Sequence, residues 1–157
     1  FIERIALYYR DLDHIRFTRT AKLIYNKLSN IKHKPIIIGL TGDLGAGKTE
    51  FVKSFFSISD HIKSPTYSII NTYKVLSESC LHADLYRLNN DISDIEMEIY
   101  EQMEHMDYVF IEWVTRSPYI YSKIDLELVI SVNENEKRSI NVKTNKSYIN
   151  SLFTSNL

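Results

Sequence analysis

Ile5, Leu7 and Tyr9 alternate with other residues as in a short strand, and Phe17, Ala21, Ile24 and Leu28 then recur at helical spacing, so the chain opens with a strand and a helix. After Pro35 the run Ile36-Ile37-Ile38-Gly39-Leu40 is continuously apolar and rich in β-branched residues, the mark of a strand buried on both faces and therefore central in a sheet. Residues 48–56 read as a helix with Phe51, Val52, Phe55 and Phe56 on one side, ending before the break at Ser64-Pro65. Residues 68–75 and 80–86 read as two further strands, and the polar link Ser77-Glu78-Ser79 suits a hairpin. Ile92, Ile95, Ile99, Met103 and Met106 form a stripe at steps of three and four, and Ser93 and Glu96 stand at the spacing of a capping box. Residues 108–113 predict another buried strand, and residues 126–132 and 139–142 should pair around the polar turn at 133–136.

Strands alternating with amphipathic helices predict an α/β sandwich with a mixed sheet. The length of 157 residues, against about 150 for an average domain, predicts one domain spanning residues 1–157. Nineteen basic and twenty acidic side chains leave a net charge of -1, so no global electrostatic footprint points to nucleic acid or an anionic membrane. The lone Cys80 excludes an intrachain disulfide and a cysteine metal cluster. No apolar run approaches the roughly 20 residues of a membrane helix. Glu3, Arg4 and Arg10 interrupt the first ten residues, unlike a secretory signal, so a cytoplasmic protein is expected.

All four glycines, Gly39, Gly42, Gly45 and Gly47, fall within nine consecutive residues. One loop therefore carries all the special backbone geometry that glycine supplies. Gly42-Asp43-Leu44-Gly45-Ala46-Gly47-Lys48-Thr49 satisfies the phosphate-binding pattern G-x-x-x-x-G-K-[ST], with a β-branched strand before it and an amphipathic helix after it. Backbone N–H groups and a helix N-terminus then converge on one concavity, Lys48 meets the β and γ phosphates, and Thr49 offers a hydroxyl to Mg²⁺. A turn that binds nothing would need neither three glycines nor a lysine at the positive end of a helix dipole. The sandwich is thus of the P-loop NTPase kind. With no glycine after Gly47, the D-x-x-G switch of GTPases and the signature of transporter ATPases are excluded, and N-K-x-D is absent as well. ATP is favoured over GTP or a dinucleotide.

Magnesium on a nucleotide calls for carboxylates at the ends of neighbouring strands, and two stand out. Asp84 lies in Leu81-His82-Ala83-Asp84-Leu85-Tyr86, and Glu112 ends the apolar run from Tyr108. Thr66, in Ser64-Pro65-Thr66-Tyr67, sits where a loop sensing the γ phosphate is expected. Trp113, Cys80 and His82 read as packing residues, while Arg87 and Arg116 are candidates for phosphate or partner contacts.

Gly42 to Thr49, Ser64-Pro65-Thr66-Tyr67, His82-Ala83-Asp84-Leu85-Tyr86-Arg87-Leu88 and Ile111-Glu112-Trp113, in this order, resemble the bacterial TsaE family of P-loop ATPases in tRNA threonylcarbamoyladenosine biosynthesis. The resemblance implies that Gly42, Asp43, Leu44, Gly45, Ala46, Gly47, Lys48, Thr49 and Glu50 hold ATP and Mg²⁺, and that Thr66 belongs to a switch-like segment. It makes Asp84 the metal-associated carboxylate and sets Glu112-Trp113 on the catalytic side. It also implies the partners TsaD and TsaB, with tRNA contacted indirectly and no membrane. Glu50 stands where the family usually has threonine, bringing a negative charge near the α phosphate; Ala83 replaces a usual aromatic and Val114 a usual proline. The expected function is an accessory ATPase of the modifying complex. A small-molecule kinase and a non-hydrolysing nucleotide-dependent scaffold share the same loop and stand as the alternatives.

Overall fold

The computed structural model describes residues 5–57, 68–89 and 91–155. Its elements are β1 (Ile5–Leu12), α1 (His14–Ser29), β2 (Ile36–Thr41), α2 (Lys48–Phe55), β3 (Ile70–Val75), β4 (Glu78–Asp84), α3 (Ser93–Met103), β5 (Tyr108–Glu112), α4 (Pro118–Tyr121), β6 (Leu126–Val132), β7 (Arg138–Lys143) and α5 (Ser147–Thr154). Among the described residues the strands make one seven-stranded sheet in the order β1-β7-β6-β2-β5-β4-β3. The four central strands run parallel, since β2 pairs with both β5 and β6 and β4 pairs with β5; antiparallel hairpins close the two edges.

The apolar run of β2 is buried because both faces of the sheet are covered. Successive side chains of a strand point to opposite faces. Ile36, Ile38 and Leu40 therefore join Tyr108 and Phe110 of β5 in a core with Phe17, Ile24 and Leu28 of α1 and Phe51 and Phe55 of α2. Ile37, with Val109 and Ile111, faces a second core that holds Ile99 of α3 and Ile120 of α4. α1 starts where Asp13 Oδ1 accepts from the Arg16 N–H at 2.8 Å, a side-chain cap.

Several local expectations are corrected. The hairpin turn is Leu76-Ser77, with Leu76 at φ +56°, because Glu78 already pairs with Val75 as the first residue of β4. β4 ends at Asp84 rather than at residue 86. The capping box does not form: α3 follows Ile92 without a side-chain cap, the Ser93 hydroxyl donates to Asp91 Oδ1 at 2.7 Å, and the Glu96 carboxylate accepts from the Ser117 hydroxyl. α4 and α5 escaped the periodicity reading because each is short; α5 buries only Ile149 and Phe153, one turn apart. No described helix is long and apolar enough to cross a membrane.

Candidate functional site

Parallel pairing brings the C-terminal ends of β2, β5 and β4 to one edge, where ligands of α/β sheets bind. Leu40 is in register with Glu112, and Glu112 with Asp84, so the glycine loop, Glu112 and Asp84 stand side by side. Gly47, at φ +107°, caps α2 with its backbone alone, leaving the first N–H groups of the helix directed out of the loop. Gly42, at φ +154°, is the tightest position: a Cβ there would lie 2.3 Å from the carbonyl oxygen of Ile130 on β6.

Lys48 is buried to 5% exposure, and its Nζ donates to the carbonyls of Gly42 at 2.7 Å and Asp43 at 2.9 Å. Thr49 donates through Oγ1 to Glu112 Oε1 at 3.0 Å, and His82 Nε2 donates to the same oxygen at 2.8 Å. Glu112, buried to 4% exposure, is thereby held by one group from the loop helix and one from β4. Asp84 Oδ1 accepts from the Tyr86 N–H at 3.0 Å. Burial holds the Asp84 carboxyl above its ordinary range; that hydrogen bond opposes the shift, and the charge of Glu112 adds to it.

A cavity of about 220 Å³ is lined by Leu44, Gly45, Lys48, Glu50, Asp84 and Trp113 together with Gly47, Thr49 and Glu112. A second, of about 610 Å³, opens on the β6 side between residues 41–46 and 129–132. Beside the cation of Lys48, the polar lining of the first supplies hard oxygen donors, Thr49, Glu50, Asp84 and Glu112, which suit Mg²⁺ better than a soft metal. No cluster of three or more His, Cys, Asp or Glu groups able to hold a metal exists among the described residues.

Asp84, Glu112 and the loop residues 42–50 are thus brought together, whereas Thr66 lies outside the described residues. Trp113 does both: partly buried, it packs against the second core as a packing residue would, and it also walls the cavity, on the side where the resemblance sets it. It takes φ +56°, turns the chain out of β5, and lays its ring 4.8 Å from that of Tyr86 and 5.0 Å from Lys48 Nζ. His82 is more than packing, since it holds Glu112. The available signal was its place two residues before Asp84 in a strand, which puts both side chains on one face. Cys80 does pack, fully buried, with burial pushing its thiol far above the usual range. Arg116 is committed to backbone, donating to the carbonyl of Tyr86 and to that of Leu88 at 2.7 Å.

The raised Asp84 carboxyl carries a stability consequence. A folded-state pKa above the unfolded one makes ionisation costly in the fold, so the penalty is present at neutral pH and vanishes as pH falls below the unfolded value. Asp84→Asn is therefore expected to melt at a higher temperature than the wild type at pH 7 without nucleotide or Mg²⁺, and the gap should close toward pH 4. Thermal melts of both proteins across that range check it; a lower midpoint for the variant at pH 7 contradicts it.

A family model described as threonylcarbamoyl adenosine biosynthesis protein TsaE matches residues 16–140. Among curated proteins, a tRNA threonylcarbamoyladenosine biosynthesis protein TsaE from Rickettsia felis is 32% identical over 132 residues, covering 82% of this chain and 76% of its own. The Haemophilus influenzae protein of the same name is 33% identical over 116 residues, 71% of this chain and 72% of its own. The one from Nostoc is 43% identical over 89 residues, 53% of this chain and 55% of its own. Among solved structures, Bacillus subtilis YdiB superposes with a TM-score of 0.66 at 24% identity, over 97% of this chain and 93% of its own, a likeness of fold.

Proposed function

The chain belongs to the TsaE family of threonylcarbamoyl adenosine biosynthesis proteins, and from that premise we propose that it binds and hydrolyses ATP with Mg²⁺ as an accessory protein of the complex that makes threonylcarbamoyladenosine in tRNA. TsaD and TsaB are its proposed partners, tRNA is met through them, and the setting is the cytoplasm. Residues 1–157 act as one nucleotide-binding domain.

The observation that carries this reading is the meeting of Lys48, Thr49, Asp84 and Glu112 at one cavity beside the glycine loop. Backbone N–H groups of residues 43–48 cradle the phosphates, and Lys48 exchanges the carbonyls of Gly42 and Asp43 for phosphate oxygens. Thr49, Asp84 and Glu112 would hold Mg²⁺, which when bound neutralises charge on the phosphoryl oxygens. Glu112, fixed by Thr49 and His82, orients the attacking water, and Thr66 contributes from its switch-like segment. Glu50 lines the cavity in the first turn of α2, close to the α phosphate.

The purified chain should hydrolyse ATP slowly. A guanidinium on the transferring phosphoryl group is worth about 10³ to 10⁵ in rate, and Arg116 is engaged by backbone carbonyls. Phosphate release from ATP, measured with the chain alone and with both partner proteins, is the test: slow release that the partners accelerate is expected. Fast release by the chain alone contradicts partner control. No release in either condition makes the protein a nucleotide-dependent scaffold, and phosphate passed to a small molecule makes it a kinase.

A further inference from the structure

Arg138, the first residue of β7, reaches back across the fold to the glycine loop. Its Nε and Cζ lie 3.0 and 3.1 Å from where a Cβ on Gly47 would be, so the absence of a side chain at Gly47 makes room for the guanidinium. Its other neighbour is Phe17 of α1, whose ring centroid is 4.8 Å from Cζ. Stacking on a ring occupies the flat face of a guanidinium and leaves its N–H edge available. Arg138 is half-buried, and among the described residues no carboxylate pairs with it.

A cation in this place needs an explanation. Gly47 caps α2, and the N-terminus of a helix carries a partial positive charge that repels a guanidinium. Lys48 already sits at the same helix end. Two cations against one positive dipole end, neither of them paired with a carboxylate among the described residues, make a site that is favourable only when an anion joins them.

Direction selects which part of the anion. β5, with Glu112 and Trp113, flanks β2 on one side, and β6 flanks it on the other. Asp84 and Glu112 mark the side of the γ phosphate. Arg138 approaches from the opposite side, paired with Val132, which lines the larger cavity. That cavity has the size of a nucleoside site. We propose that Arg138 binds the α phosphate of the nucleotide, supplying within the chain the charge that offsets Glu50 at the same end of α2. This rests on the nucleotide-binding reading above and adds a binding residue to it.

Titration calorimetry with ATP-Mg²⁺ and ADP-Mg²⁺ tests it on the full chain, using the wild type, Lys48→Ala, Arg138→Met and Arg138→Lys. Met keeps an apolar stem against Phe17 without the charge; Lys keeps a charge without the fork. A charge-assisted contact to phosphate lost from both ligands predicts that Arg138→Met weakens ATP and ADP by the same factor, about tenfold to a hundredfold, with Arg138→Lys between it and the wild type. Melting without nucleotide identifies a variant that fails to fold, in which case Arg138→Lys carries the comparison. Unchanged affinity for both ligands overturns the proposal, and so does a loss confined to ATP, which would assign Arg138 to the γ phosphate. A wild type that binds neither ligand, or binds both as well after Lys48→Ala, overturns the nucleotide reading itself.

Discussion

Lys48→Ala is expected to lower the affinity for ATP-Mg²⁺ by about thirtyfold to several thousandfold, the 2–5 kcal/mol typical of truncating one partner of a buried charge pair. The physical reason lies in how the lysine is held. Its Nζ is nearly sealed from solvent, above the ring of Trp113, and among the described residues it bonds to the carbonyls of Gly42 and Asp43. Those neutral acceptors satisfy the ammonium geometrically without neutralising it, so the charge stays available for the phosphate oxygens. Removing it leaves the backbone nest and the dipole of α2 to bind a highly charged anion. Calorimetric titration checks the loss, with a melting curve to establish that the variant is folded. Unchanged affinity in a folded variant would remove the loop from nucleotide binding altogether.

Glu112→Gln is expected to reduce phosphate release by about 10² to 10⁴ in the presence of the partner proteins while leaving ATP affinity within a few-fold of the wild type. Gln keeps the shape, and its carbonyl oxygen continues to accept from Thr49 and His82 as Glu112 Oε1 does. What is lost is the negative charge beside Asp84. Single-turnover phosphate release and nucleotide titration, run on the same preparation, separate the two effects. Asp84→Asn is the informative companion. If Glu112→Gln keeps the wild-type rate and Asp84→Asn does not, Glu112 serves the fold and Asp84 alone the chemistry.

His82 illustrates why part of the site escaped a reading of the sequence. Taken alone it is one histidine in an apolar strand with no second ligand at metal spacing. Its role follows from β4 lying parallel to β5, which sets His82 opposite Phe110 and within reach of Glu112. Trp113 is partly similar: it packs against the second core as its sequence context suggests, and its left-handed backbone conformation also brings the ring to Lys48 of the loop. Ser93 and Glu96 err in the other direction. Their spacing is that of a cap, yet Asp91 and Ser117 offer these side chains other partners.

The residues from Ile36 to Thr49 determine their own structure and much of their chemistry. A continuous β-branched run can only be a buried strand here, and the glycines, Lys48 and Thr49 are contiguous, so the phosphate loop is complete within one short segment. Helix α1 and the stripe of α3 were equally legible, because helical periodicity is a local property of the chain. Strand order and register are not local. Hydrogen bonds between strands join residues far apart in sequence, and nothing within β4, β5 or β7 encodes its neighbour. Only the folded sheet could therefore decide that Asp84 stands beside Glu112, that His82 and Thr49 share one oxygen of that carboxylate, and that Arg138 comes to rest against Gly47.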